Sequence, residues 1–236
     1  MNPKKRYCYL LWDVDGTLLD FDYSMRVSLI KSLKKIGVTA TDEMIDRYSQ
    51  INNGWWKRLE LGEVTKAQLL PGRFMDLFAE YGIECPDLKA FLQDFQRNLG
   101  CKYKHMENSP QICQKLRDMG YHQFVVTNGV TVTQENKLKL SGLTEFMEAL
   151  FISEQMGAPK PHKEFFDACF KAIREKYPDF DLSEVLIIGD SLSSDMKGGA
   201  NAGIDTCYYC PGSDSEDIQP DVTYKIKSLT EIFEVV

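Results

Sequence analysis

The sequence predicts an α/β protein, a doubly wound parallel sheet carrying an inserted all-helical domain. Three observations predict it. Four short segments, residues 7–13, 123–127, 150–153 and 185–190, are nearly continuous apolar runs, as parallel strands buried on both faces require. Between the later runs lie patterns of helical period, so strand alternates with helix. The first two runs, in contrast, are separated by a long stretch, residues 20–106, that reads as helix throughout and is too long for a loop.

Taken in order, residues 7–13 form the first strand. In the stretch that follows, residues 25–36 place apolar side chains at three- and four-residue spacing, with Gly37 as a stop. Thr41 is an N-cap for the next helix, with Asp42 and Glu43 in its first turn, where the helix dipole favours acids. Residues 66–81 form a third helix, with an interruption expected at Pro71 and Gly72, and residues 87–99 a fourth. The second half alternates: helix 110–119, strand 123–127, helix 132–141, strand 150–153, helix 163–176, strand 185–190, helix 194–202, strand 205–209, a weaker strand at 222–226 and a final helix at 229–236. Residues 211–221, rich in Pro, Ser and Asp, are expected to form a surface loop. The domain boundaries implied are 1–19 with 107–236 for the sheet and 20–106 for the helical insertion.

The chain has 236 residues, enough for one sizeable core and a smaller domain. Its 28 basic and 35 acidic side chains leave a net charge of −7, which argues against a nucleic-acid polymer as partner. A small anionic ligand would be held by a metal and a few placed cations instead. No apolar run is long enough to span a bilayer. The basic start and short apolar run at residues 7–12 do not make a secretory signal, so a cytoplasmic protein without disulfides is expected from its seven scattered cysteines. Cys207 and Cys210 read as part of an apolar strand, because no second pair or nearby histidine completes a metal site.

Chemistry gathers at the strand ends, where open α/β sheets bind ligands. Asp13 and Asp15 close the first strand, and Gly16 permits the turn after them. Charges directly after a buried apolar run are costly unless used. Thr127 and Asn128 end the second strand, where a hydroxyl, an amide and free backbone N–H groups can cradle phosphoryl oxygens. Lys160 stands between two prolines after the third strand, in backbone that proline holds extended. Asp190 emerges from the fourth strand, and Asp195 stands near the start of the next helix, where capping explains it nearly as well as a metal. Singly, several of these have bland readings as turn residues or solvated charges. Together they place oxygen ligands suited to magnesium, from Asp13, Asp15 and Asp190, beside a lysine that balances charge on a transferred phosphoryl group.

With these residues in hand, the whole chain resembles the haloacid dehalogenase superfamily. DxDGT, TN, KP and GDxxxxD occur in that family's order and on the expected strands, and the insertion after the first motif looks like its C1-type cap on a Rossmann-like core. The resemblance implies Asp13 as nucleophile, Asp15 as general acid and base, Thr127 and Asn128 as phosphoryl holders and Lys160 as the orienting cation. It implies magnesium on Asp13, Asp190 and the backbone carbonyl of Asp15, with Asp195 in support. A closer similarity, to pyrimidine 5′-nucleotidases of the superfamily, rests on residues 12–22, on Thr127 to Gly129 with Gln134, on residues 151–154 and on residues 201–203. In the insertion it rests on Asn52, Trp56 and Gly72 to Phe74.

The implied activity is hydrolysis of a small phosphate monoester, a pyrimidine nucleoside monophosphate, through an aspartyl phosphate. Asn52, Trp55, Trp56 and Arg73 are the candidates for substrate contact in the insertion. For the tryptophans, packing in the helical bundle is the competing explanation. A sugar-phosphate phosphatase and a phosphosugar mutase are the enzymatic alternatives, and a non-catalytic binding protein on the same scaffold is the distant one. Oligomeric state is not legible.

Overall fold

The computed structural model describes residues 6–212 and 220–236. The first five residues and most of the loop expected at 211–221 lie outside them. Six strands are seen among the described residues: β1 (Tyr9–Trp12), β2 (His122–Thr127), β3 (Ala149–Ile152), β4 (Val185–Gly189), β5 (Asp205–Tyr209) and β6 (Tyr224–Ile226). They form one sheet in the order β3-β2-β1-β4-β5-β6, and every neighbouring pair is parallel. The predicted doubly wound α/β class is what the chain adopts. The strand order reverses direction between β1 and β4, the switch point outside which such sheets bind their ligands.

Helices α1 (Phe21–Lys35), α2 (Asp42–Glu60), α3 (Lys66–Tyr81) and α4 (Leu88–Cys101) fall between β1 and β2, followed by α5 (Ser109–Asp118). Beyond β2 come α6 (Thr131–Leu140), α7 (Ser153–Met156), α8 (Lys163–Lys176), α9 (Lys197–Ala202) and α10 (Ile232–Val235). The chain divides into two compact units, Met1–Asp20 with His105–Val236, and Phe21–Lys104.

In the sheet unit, alternation sends Tyr9, Leu11, Phe124, Val126, Val185 and Ile187 to one face, where they pack on Phe165, Phe166, Phe170 and Ile173 of α8. Residues of the opposite parity, Leu10, Trp12, Val125, Leu186 and Ile188, are buried as well. Burial on both faces explains why these strands read as unbroken apolar runs. One polar residue interrupts them. Gln123 is enclosed, and its amide accepts from the Trp12 indole at 3.1 Å and donates to the Cys113 carbonyl at 2.8 Å.

The helical unit has its own core, with Leu29, Leu33, Tyr48, Phe74, Leu77, Phe91 and Phe95 at its centre. Thr41 caps α2 by accepting from the Met44 amide at 3.2 Å. Thr65 and Gln68 close α3 with a reciprocal capping box.

Four expectations are corrected. Pro71 does not interrupt α3. Proline costs one backbone hydrogen bond, and the buried stripe of Leu69, Phe74, Leu77 and Phe78 holds the helix through it. The helix expected at 194–202 is split into a π-turn, Leu192–Met196, and α9, because the Asp195 and Met196 amides both reach back to the Ser191 carbonyl. Wide turns of this kind are frequent at functional sites. The helix expected at 229–236 begins as a 3-10 turn, Leu229–Glu231, before α10, with Glu107 accepting from the Leu229 amide at 3.1 Å. Finally, β1 stops short of residues 7 and 13. Tyr7 is tied by its hydroxyl to Asp205 at 2.6 Å instead.

The chain leaves and re-enters the sheet unit at one place. Leu19 makes an antiparallel bridge with His105, the Met106 amide donates to the Leu18 carbonyl at 3.0 Å, and the Ser109 hydroxyl reaches the same carbonyl at 2.8 Å.

Candidate active site

Parallel registration brings the ends of β1, β2 and β4 level. Trp12 pairs with Val125 and with Ile188, so Asp13, Thr127 and Asp190 emerge along one edge. The Asp13 amide still donates to the Ile188 carbonyl at 2.9 Å, which fixes its backbone at the switch point.

Lys160 is the hub. Its side chain is buried, and its ammonium donates to Asp13 Oδ1 at 2.7 Å, Asp195 Oδ1 at 2.6 Å and the Val126 carbonyl at 2.8 Å. All three of its protons are thus engaged. Asn128 holds the lysine from behind, its Oδ1 accepting from the Lys160 amide at 2.8 Å and its Nδ2 donating to the Lys160 carbonyl at 2.9 Å. Both polar atoms of the Asn128 side chain are therefore engaged with the backbone of Lys160. The Lys160–Pro161 bond is cis. The Thr127 hydroxyl accepts from the Gly129 amide at 3.0 Å, leaving its own proton to donate outward.

Asp195 is enclosed rather than capping a helix. Its second oxygen accepts from the Ser191 amide at 3.2 Å. A Cβ at Gly189 would stand 2.3 Å from that oxygen, and one at Gly16, where φ is +96°, would stand 2.3 Å from Asp190 Oδ2. Both glycines are needed for carboxylates to crowd this closely. Oxygens of Asp13, Asp190 and Asp195 can all lie within 4.8 Å of one another. Thr17 donates to Asp190 Oδ1 at 3.1 Å.

Three carboxylates thus share one ammonium, and the electrostatics register the deficit. Burial, opposed by Lys160 and reinforced by Asp195 and Asp190, pushes the Asp13 carboxyl well above its ordinary value. Burial and then the Asp195 charge push Asp190 up to about 7. For Lys160 burial acts downward, yet Asp13 and Asp195 outweigh it and hold the ammonium above its usual range. A hard divalent cation fits this arrangement, since the donors are all oxygen and a further positive charge is what the cluster lacks.

A pH dependence follows. Between about 4, where a carboxyl titrates in the unfolded chain, and about 7, where Asp190 titrates when folded, the folded protein holds the extra proton. Stability of the metal-free protein therefore falls as pH rises through that window, by at most about 1.4 kcal/mol per pH unit for one such group. Thermal melts in chelator should show a lower Tm at the upper end than at the lower, and millimolar magnesium should restore it at the upper end. A Tm flat across the window, with no response to magnesium, contradicts this account.

Asp15 stands apart from the carboxylate cluster. Its Oδ1 accepts from Lys137 at 2.5 Å and its Oδ2 from Gln134 at 2.5 Å. Lys137 is fully buried. Sequence reasoning missed it, for a lysine in the middle of a polar helix carries no signal of burial. Gln134, one turn earlier on the same face of α6, was picked up only through resemblance.

In the helical unit, Asn52 and Arg73 meet. Arg73 Nη1 donates to Asn52 Oδ1 at 2.7 Å. Trp55 is occupied structurally: its ring lies over Gly72, its Nε1 donates to Asp76 at 2.7 Å and Arg58 stacks on it at 4.4 Å. Trp56, half-buried, packs beside Leu59, Val64 and Leu69. No helix among the described residues is long and apolar enough to cross a membrane.

Residues 10–209 match the family model described as haloacid dehalogenase-like hydrolase. The Bacillus subtilis protein YfnB is 36% identical over 98% of this chain and 96% of its own. Its crystal structure, bound to magnesium and revealing interdomain movement, superposes with a TM-score of 0.88 over 98% of this chain and 99% of that one. Pyrimidine 5′-nucleotidase PynA of Streptococcus pneumoniae is 35% identical over 97% of this chain and 94% of its own. Pyrimidine 5′-nucleotidase YjjG of Escherichia coli is 28% identical over 96% of each.

Proposed function

This chain belongs to the haloacid dehalogenase-like hydrolase family, and from that premise we propose that it is a magnesium-dependent phosphomonoesterase acting on pyrimidine nucleoside and deoxynucleoside monophosphates in the cytoplasm. The observation that carries the chemistry is Lys160 bridging Asp13 and Asp195 beside Asp190 at the carboxyl edge of the sheet. Two relatives that match nearly the full chain and are pyrimidine 5′-nucleotidases support the substrate class.

In this reading Asp13 is the nucleophile. Lys160 holds its Oδ1, so Oδ2 attacks phosphorus in line, and the bond from phosphorus to the sugar oxygen breaks. Asp15 protonates that departing oxygen. It then accepts a proton from water, whose oxygen attacks the aspartyl phosphate, releasing phosphate and restoring the Asp13 carboxylate. To reach either proton, Asp15 has to give up a contact with Lys137 or Gln134, which otherwise hold it in place. The Thr127 hydroxyl and the backbone N–H groups that follow it hold phosphoryl oxygens. Asp13, Asp190 and the backbone carbonyl of Asp15 would hold magnesium, with Asp195 fixing Lys160 behind them. Magnesium, when bound, neutralises charge on the transferred group and helps orient it. The unit Phe21–Lys104 serves as a C1-type cap that selects the leaving group, with Asn52 and Arg73, paired with each other, as its candidate contacts and the two tryptophans mainly packing.

The test is phosphate release from a panel of monoesters in magnesium: pyrimidine and purine 5′-monophosphates, their deoxy forms and several sugar phosphates. UMP, dUMP or dTMP should lead in kcat/KM. If sugar phosphates lead, the phosphohydrolase stands and the nucleotide assignment falls. If folded protein in magnesium turns over nothing, the hydrolase assignment falls with it.

A further inference from the structure

Lys137 is enclosed and its partner Asp15 is not: their side chains are 0% and 23% exposed. The lysine donates to Asp15 Oδ1 at 2.5 Å. Gln134 stands one turn earlier on the same face of α6, and its Nε2 donates to the other oxygen, Oδ2, at 2.5 Å. Each carboxylate oxygen thus has a donor of its own, the first charged and the second neutral. Both donors come from one anchored helix, because Glu154 accepts from the Thr131 amide at 2.8 Å and from its hydroxyl at 2.6 Å where α6 begins.

The two contacts differ in what their release costs. Letting go of Lys137 separates an enclosed ammonium from a carboxylate, among the costliest losses in a protein interior. Letting go of Gln134 frees a neutral amide, a smaller loss. The amide is also the more loosely held of the two donors. Its bond to Asp15 is the one hydrogen bond the Gln134 side chain makes among the described residues, and its buried Oε1 has no partner among them. A glutamine kept for folding alone would have that carbonyl satisfied. This one crosses the turn after Thr127 to reach the acid, close enough that a Cβ at Gly129 would stand 2.0 Å from Nε2.

Resting on the phosphomonoesterase reading above, we propose that Lys137 is a positioning residue that keeps Asp15 Oδ1 through the whole reaction, that Gln134 is the contact Asp15 releases, and that Oδ2 is therefore the oxygen that moves the proton. As the bond from phosphorus to the leaving oxygen breaks, the proton on Oδ2 passes to that oxygen. As water attacks the aspartyl phosphate, Oδ2 takes one of its protons, and the carboxyl is ready for the next cycle. Lys137 touches neither proton. It is the pivot, and only Oδ2 has to turn from its neighbour. A proton donor held at one oxygen in this way meets the leaving group in a fixed geometry, which is where its rate advantage comes from.

The experiment measures kcat/KM in magnesium for wild type, Lys137→Met, Gln134→Met and Asp15→Asn on two esters, with thermal melts to show that each protein is folded. One ester is the leading alkyl monoester of the panel above, whose oxygen departs only with a proton. The other is 4-nitrophenyl phosphate, whose phenolate departs without one. Lys137→Met should lose about 10²-fold on the alkyl ester and less than about threefold on 4-nitrophenyl phosphate, the split that a displaced general acid produces. Gln134→Met should lower both esters alike, by less than about tenfold, so that their ratio stays where it is. Equal loss on both esters in Lys137→Met makes the lysine a folding residue and overturns the proposal. A split that appears in Gln134→Met assigns the proton to the wrong oxygen and overturns it as well. That second variant decides alone if Lys137→Met does not fold: an unmoved ratio upholds Gln134 as the released contact, and a moved one overturns it. Asp15→Asn tells this failure from that of the mechanism beneath it. If that variant does not split the esters, Asp15 is not the acid and both fall. If folded wild type turns over neither ester, the hydrolase reading fails and takes the positioning role with it.

Discussion

Replacing Asp13 by asparagine should abolish turnover, with kcat falling by about 10⁴-fold or more, the scale seen when a covalent nucleophile is removed. Asparagine keeps the shape of the side chain and an oxygen for Lys160 to grip, so the loss is one of chemistry. The variant should also be the more stable protein in the absence of metal. It takes one negative charge from a cluster in which burial and two neighbouring acids already press Asp13 toward its neutral form. Quenching the wild type in acid during turnover should trap phosphate on the protein, and the asparagine variant should carry none. Undiminished turnover by Asp13→Asn would remove the aspartyl phosphate from the mechanism.

Lys160→Met should have the second largest effect, and its sign on stability is opposite. The ammonium answers Asp13, Asp195 and the Val126 carbonyl together. Without it, three neighbouring carboxylates have no cation. Breaking a buried pair by deleting one member costs about 3–5 kcal/mol, and here two pairs lose the same partner. The cluster will recover part of that by taking up protons, which lowers the fraction of Asp13 available as nucleophile. A fall in kcat of about 10³-fold is expected, on the scale of losing a preorganised charge at the transferred group. Melting in chelator and in magnesium checks the stability side, for added cation should return part of what the methionine took away. A variant as active as wild type would show that Lys160 serves folding alone.

The strand ends were legible because burial leaves a plain mark. Runs such as Val185 to Ile188 are apolar on both parities, and an aspartate directly after one is conspicuous. The positions of Asp13, Thr127, Lys160 and Asp190 along one edge could be read from that. The partnerships among them could not. Nothing local tells that Asn128 will clamp the backbone of Lys160, or that Lys137 will be enclosed against Asp15, since both depend on which turns of separate segments come together. Pro71 misled for a related reason. Its preference is a local property, and the helix is held by the packing of Leu69, Phe74 and Leu77, which lies outside any local window. Arg73 was visible as a residue, but its burial against Asn52 was not, because that depends on everything around it.

The place where the chain departs from and rejoins the sheet, with Leu19 bridged to His105 and two donors converging on the Leu18 carbonyl, has a consequence for descent. An excursion whose two ends are stapled at a single neck exerts little leverage on the sheet unit that carries it. Its closure penalty grows only slowly with length. Lineages can lengthen, shorten or exchange the excursion outright and leave the acid cluster undisturbed.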